Sequence, residues 1–480
     1  MMPRLKLTYL AALSALLPAC ALVGPDYQRP EMDMPAQYST TQDTQNGAAE
    51  ISSTWWELYQ DPVLNDLVAK TLQNNVDIQI AVARVEEADA FLREVGSALF
   101  PTVDLQGTAT RARVTEAGAF PVFTANPRND YIVSAGTSFE IDFWGKLRRA
   151  KEAARAQALS TRYAGDTVRL SLASLVASNY LQLRSLDSQI AVSRESLKSR
   201  EESLALTRRR LEGGVASILE VHQAESATAN LVAQIAELVR LRALAEHQLA
   251  VLTGTLDLDL PATDLDHLPL PPVPPAGLPS SLLSARPDIR QSEQNLIAAN
   301  ANIGVAKAAL YPSISLTGTY GGESLELGDV LKSAARIWTL GIGLDLPIFD
   351  AGRRGARIDQ ATAQQKQALA SYQGSVQTAF REVNDALVTL RQSREREQAL
   401  QNSESAARAA LEVAENRYKA GYSAFLEVLD AQRVHNEASL AFIQSRQARL
   451  VATVDLFKSL GGGWESEYDA AIARNNAEQQ

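Results

Sequence analysis

The stretch RRLEGGVASILEV (residues 209–221) returns as RYKAGYSAFLEV (residues 417–428), with Gly214 and Gly421 separated by 207 positions. The same offset carries Leu249 and Gly254 onto Leu456 and Gly461. A second pair, VDIQIAVARVEEADAFLREVGSALFPTVDLQG (76–107) and PDIRQSEQNLIAANANIGVAKAALYPSISLTG (287–318), aligns at 211, matching Asp77 to Asp288 and Pro101 to Pro312. Self-similarity over about two hundred residues is too long for a solenoid repeat and reads as a duplicated half-molecule. The four-residue change of offset falls between Gly107 and Arg210, where altered length is tolerated.

Each half alternates between two periodicities. DPVLNDLVAKTLQNN (61–75) places Leu64, Leu67, Val68 and Leu72 at helical spacing. A helix is expected from Val63 to about Leu99, ending before Pro101, because the residue preceding a proline leaves the α region. Then the period becomes two. In YIVSAGTSFEIDF, Tyr131, Val133, Ala135, Phe139, Ile141 and Phe143 share one face and polar residues the other. In IWTLGIGLDLPIF, Trp338, Leu340, Ile342, Leu344, Leu346 and Ile348 oppose Thr339, Gly341, Gly343 and Asp345. PTVDLQGTATR and PSISLTGTYGG supply a preceding strand to each. Strands of this length with one apolar face fit a membrane β-barrel, and equally a half-buried soluble sheet. The joining loops, about 114–130 and 321–336, are longer than tight hairpin turns.

Long helices follow each hairpin. The spans from Gly145 to Gly213 and from Gly352 to Gly421 correspond to about 100 Å each at 1.5 Å per residue. The returning helix, Val215 to Gly254, comes to about 60 Å and the incoming one to about 54 Å, so the two stacked end to end match the long one. The expected form is a rod in which one continuous helix runs beside two half-length helices. Leu440, Ile443, Gln447, Leu450, Val454 and Phe457 mark a coiled-coil seam interrupted by Gln447. The Pro-rich stretch LPATDLDHLPLPPVPPAGLP (260–279) separates the halves and is incompatible with regular helix.

Composition narrows the function. With 480 residues, 46% of them hydrophobic, a net charge of -10 and no clustered basic face, the chain is not built for nucleic acid. After the first twenty residues no apolar run is long enough for a membrane-spanning helix. Arg4 and Lys6 precede LTYLAALSALL and then PAC, the layout of an export signal. Cys20 is the only cysteine, so no internal disulfide forms. The signal either ends beside an incidental thiol or is a lipoprotein signal, since LPAC resembles the lipobox whose cysteine is lipidated. No Asp follows Cys20, which by resemblance to lipoprotein sorting favours the outer membrane. One lipidated residue anchors a protein to a bilayer without spanning it.

Four strands cannot close a barrel, and open sheet edges are not tolerated in hydrocarbon. If the strands are embedded, two, three or four chains share one barrel of eight, twelve or sixteen strands. VGPDYQRP (23–30), WWELYQDPVLNDLVAKTLQNN (55–75), LPSSLLSARPDI (278–289), the paired FP/YP strand starts and the paired turn motifs together resemble the outer-membrane factor (TolC-like) family, in its lipoprotein branch. The resemblance covers essentially the whole mature chain. It implies a mainly α fold with a membrane β-barrel: a long coiled-coil α-helical barrel plus four β-strands per chain, closed as a homotrimer. The organisation expected is a signal peptide (1–19), a lipidated extended segment (20–62), repeat 1 (63–254), a Pro-rich equatorial linker (255–286), repeat 2 (287–461) and an equatorial tail (462–480). The implied partners are a periplasmic adaptor, an inner-membrane efflux transporter of the RND type and outer-membrane lipid. No cofactor is implied beyond the lipid on Cys20.

The repeated turns thus become tips that meet the adaptor and close the channel. Gly214 and Gly421 are expected in the left-handed conformation that ends a long helix. Ser217 and Glu220 form an S-x-x-E capping box; Ala424 stands where Ser217 does in the second half, so Glu427 is the better gate candidate. Tyr418 matches a tyrosine that holds TolC-like entrances shut through inter-helix hydrogen bonds, and reads equally as a packing aromatic. Ser423 sits where relatives often carry a charged gate residue. His222, His247, His267 and His435 are dispersed, and no HExxH, Walker or GxSxG pattern occurs, so no catalytic site is expected. The resemblance implies a passive efflux duct; a duct for type I protein secretion, and a pore-free periplasmic scaffold, are the alternatives.

Overall fold

Alternation and turn chemistry recur in a computed structural model that describes residues 22–35, 38, 52–117, 125–273, 279 and 282–462. Cys20, the export signal and the segment after Gly462 lie outside the described residues. The elements run α1 (Pro62–Asn74), α2 (Val76–Ser97), β1 (Thr102–Ala112), β2 (Arg128–Ile141), α3 (Lys146–Glu212) and α4 (Ile218–Thr253). After the linker come α5 (Pro287–Ala308), β3 (Ser313–Ser324), β4 (Arg336–Asp345), α6 (Arg353–Lys419) and α7 (Phe425–Ser459). Both long helices, α3 and α6, have 67 residues. From the start of β1 to the start of α3 is four residues longer than from β3 to α6, which places the change of offset inside the first hairpin.

The expected single helix from Val63 to Leu99 is corrected to two. Asn75 breaks it with an extended backbone (φ −64°, ψ 134°). Its side chain replaces the lost helical bonds: Nδ2 donates to Leu252 O at 2.9 Å and Oδ1 accepts from Asp77 N–H at 2.8 Å. A buried break is tolerable only when its backbone groups find such partners.

The chain divides into two compact units. The first (1–31, 85–161 and 291–372) contains one antiparallel sheet in the order β1-β2-β3-β4. Its register aligns Val103, Thr137, Gly318 and Leu340 across the four strands. A Cβ added to Gly318 would touch both Thr137 Cγ2 and Leu340 Cδ2, so these residues share a face. On the opposite face, Cβ atoms on Gly341 and Gly343 would touch Thr317 Oγ1 and Ser315 Oγ. The sheet is therefore two-faced, one side carrying Val103, Leu105, Leu340, Ile342 and Leu344, all exposed, and the other Ser and Thr rows. Among the described residues β1 and β4 each leave one edge unpaired. Two expectations are corrected. Phe143, Leu346 and Ile348 lie beyond the strand ends, Pro347 being unable to donate to a ladder. The loops are 113–127 and 325–335.

At the helical end of the sheet, Trp144 stacks on Tyr311 (4.5 Å) and donates Nε1–H to Pro312 O (2.8 Å). An extended strap, residues 22–31, is pinned in the same unit. Val23 N–H donates to Trp144 O (3.2 Å), Arg149 pairs with Asp26 (2.6 Å), and Arg29 forms a two-pronged contact with buried Glu293 (2.6 and 2.7 Å). Gly24 (φ +107°) approaches Gly304 so closely that an added Cβ would stand 2.5 Å from its Cα.

The second unit (32–84, 162–290 and 373–480) holds the largest apolar core. Trp55 stacks on Phe457 at 5.4 Å, and the Tyr59 hydroxyl bonds Thr453 Oγ1 at 2.5 Å. The seam residues Leu440, Ile443, Leu450, Val454 and Phe457 are buried, and Gln447 donates to Gln182 Oε1 (3.1 Å). The linker is tied down by charge: Arg184 donates to Pro261 O (2.7 Å), Arg242 to Leu260 O (2.5 Å), and buried Asp187 bridges both guanidiniums.

Candidate functional site

The repeated turns both lie in the second unit, and their backbone explains why their sequences agree. Gly214 (φ +73°) and Gly421 (φ +81°) occupy the left-handed region. Val215 N–H donates to Arg210 O, and Tyr422 N–H to Arg417 O, each at 2.9 Å; Gly214 and Gly421 donate to Leu211 and Tyr418 carbonyls. This paired pattern satisfies the last carbonyls of a helix. Gly254 and Gly461 repeat it at the ends of α4 and α7. Four helix ends, one device.

The helix starts differ. Ser217 Oγ accepts from Glu220 N–H (3.3 Å) and caps α4, whereas Ala424 at the start of α7 offers no side-chain acceptor. Glu220 is half-buried; Glu427 is exposed and has no ion-pair partner among the described residues. Ser423 is half-buried, and its hydroxyl has no hydrogen-bond partner among the described residues.

Tyr418 is buried. Its ring packs against Phe425 (5.3 Å) inside a small cluster with Val428 and Ala224, and the Arg210 guanidinium covers it at 4.3 Å. Its hydroxyl has no hydrogen-bond partner among the described residues. A buried hydroxyl left unpaired is costly. Higher up, Glu225 accepts from Arg208 (2.7 Å) and contacts His222 (3.1 Å). Arg208 first, then His222, holds its carboxyl below the usual range. That contribution is present at neutral pH and fades as pH falls through the lowered value.

Sequence reasoning missed the apolar surface of the turns. Val215 (76% exposed), Leu219 (62%), Tyr422 (80%) and Leu426 (61%) project into solvent. The signal was available: the 207 offset maps Val215 onto Tyr422 and Leu219 onto Leu426, apolar in both copies at positions too exposed for a core. Arg210, which covers the Tyr418 ring, was missed as well. Among the described residues no cluster of His, Cys, Asp or Glu could hold a metal ion, and no helix is long and apolar enough to cross a membrane.

Residues 67–255 and 278–462, one stretch for each repeat, match the model of the outer membrane efflux protein family. The chain belongs to that family. It is 36% identical to the probable efflux pump outer membrane protein TtgC of Pseudomonas putida, over 98% of this chain and 99% of that protein. It is 33% identical to the cation efflux system protein CusC of Escherichia coli, over 94% and 99%. The solved outer-membrane channel OprN superposes with a TM-score of 0.87 at 32% identity, covering 92% of this chain and all of that one. A mainly helical chain with one four-stranded sheet is thus the fold of an outer-membrane efflux channel.

Proposed function

We propose that three copies of this chain close a twelve-stranded barrel in the outer membrane and act as the passive exit duct of a tripartite efflux system. The observation that carries this is the sheet: one exposed apolar face, one polar face, and two edges unpaired among the described residues. In hydrocarbon such edges must pair with those of further copies. β4 runs antiparallel to β1 by the up-and-down order, so the β4 of one copy joins the β1 of the next without a change of pattern.

The polar row of Ser315, Thr317 and Thr339 then lines the lumen, and the duct performs no chemistry of its own. The exposed apolar residues of both turns, Val215, Leu219, Tyr422 and Leu426, form the docking surface for a periplasmic adaptor, which connects the duct to an inner-membrane transporter of the RND type. Tyr418, Ser423, Glu220 and Glu427 gather at this end as the closing ring, in which the unpaired Tyr418 hydroxyl bonds a neighbouring copy. Lipid on Cys20 completes the attachment. Three residues later Val23 is bonded to Trp144, at the foot of the sheet. The name of the cation efflux relative CusC points to metal cations as one class of cargo.

Detergent-solubilised protein is expected to migrate as a trimer and to conduct in planar bilayers once the turns are loosened. A strictly monomeric, non-conducting protein would sink the reading. Capture of a secretion ATPase rather than an efflux transporter would leave the duct but move it to protein export.

A further inference from the structure

The outer end of the sheet carries charge in an unusual place. Residue alternation sets Arg111 at the end of β1 and Arg336 at the start of β4 on the apolar face, in line with Leu105 and Trp338. Both are exposed, and neither has an acidic partner among the described residues. The acidic residues of the strand ends here, Asp130 and Glu323, fall on the polar face by the same alternation, and in loop 325–335 Asp329 is paired with Lys332. Of the charged residues at these strand ends, Asp130, Glu323 and Arg128 thus face inward, and the two that face outward, Arg111 and Arg336, are both bases.

Depth follows the same order. Along β4 the apolar face reads Leu344, Ile342, Leu340, then Trp338 opposite Tyr320, then Arg336. The eight steps from Leu344 to Arg336 span roughly 27 Å, or about 20 Å along the membrane normal at the tilt of such barrels. The sequence aliphatic, aromatic, cationic is therefore that of hydrocarbon, interface and headgroup. Loop 325–335 reinforces the level: Val330 O presses on Gly322, where an added Cβ would stand 1.8 Å away, and Leu327 and Leu331 stay exposed beside it.

Resting on the duct reading above, we propose that this rim binds the phosphorylated glycolipid of the outer leaflet. Arg336 of one copy and Arg111 of the next grip its phosphates, and Leu327 and Leu331 lie against its acyl chains. Arginine suits this role because its planar fork meets two phosphate oxygens at once. The β4-to-β1 junction brings the two arginines to one rim from adjacent copies, so the trimer holds three equivalent sites.

The test is native mass spectrometry of the full-length trimer with added bisphosphorylated lipid A, dephosphorylated lipid A or phosphatidylethanolamine. Bisphosphorylated lipid A should bind at up to three per trimer, and at least tenfold more weakly to R111Q/R336Q. R128Q, on the polar face, should bind like the parent. Thermal midpoints and bilayer conductance of the same preparations establish that the variants fold and insert. Equal retention by R111Q/R336Q, or equal binding of dephosphorylated lipid A, overturns the site and leaves the duct standing. Protein that neither trimerises nor conducts overturns the duct and the site with it.

Discussion

Tyr418 is a side chain whose two ends face different demands. Its ring is covered by Arg210 and Phe425, while its hydroxyl is buried and unpaired among the described residues. Tyr418→Phe keeps the ring contacts and removes a buried hydroxyl that lacks a partner among the described residues, so the isolated protomer should gain about 1–3 kcal/mol. If the hydroxyl bonds a neighbouring copy, the same variant raises resting conductance in bilayers, and Glu427→Ala does so by reducing charge at the ring. Unchanged conductance in both would count against their role as gate. The two helix starts offer an internal comparison. Ser217→Ala should destabilise the turn by about 1 kcal/mol. Ala424→Ser, where the backbone already has the capping conformation (φ −73°, ψ 153°), should stabilise it by a similar amount. Hydrogen exchange at the first turns of α4 and α7 reads both, and faster exchange in Ala424→Ser would contradict the capping account.

At the scale of elements, the linker has no regular structure to hold it and depends on α3 and α4. Leu260, Leu265 and Leu268 are buried, but the direction of the segment is fixed by Arg184, Asp187 and Arg242. Asp187 is 6% exposed and sits between two guanidiniums. Asp187→Ala would leave Arg184 buried without its counter-charge, a loss of about 3–5 kcal/mol. The expected signs are a lower thermal midpoint and faster proteolysis within residues 255–273; an unchanged midpoint would show that apolar burial alone secures the linker. The break at Asn75 belongs to this scale too. Nothing in LQNNVDIQI interrupts helical spacing, and the reason for the break lies on α4, where Leu252 O accepts from the Asn75 side chain.

For the whole molecule, conduction and recognition sit in separate parts of the sequence. The duplicated apolar turns lie far from the strands in the chain, so Leu219→Asp with Leu426→Asp should abolish capture of a periplasmic adaptor and leave the bilayer conductance of a loosened trimer unaltered. Equal loss of both would mean that the substitutions disturb the barrel or the trimer rather than a docking surface.

The sequence by itself determined the duplication, the helix ends at Gly214, Gly254 and Gly421, the seam along α7 and the two-faced strands. These depend on backbone conformation and on residues within a few positions of one another, so they survive reading one letter at a time. Strand counting went further: four ribbons cannot seal themselves, which points to assembly before any fold is seen. Only the tertiary structure decided that Tyr418 is sheathed by Arg210 from the other repeat, that Asn75 divides a helix, that Asp187 clamps the linker, and that the strap lies against Gly304. Each joins residues from 76 to more than 200 positions apart, or from separate elements. Burial and pairing are settled by what packs opposite, and local pattern carries no record of the opposite wall.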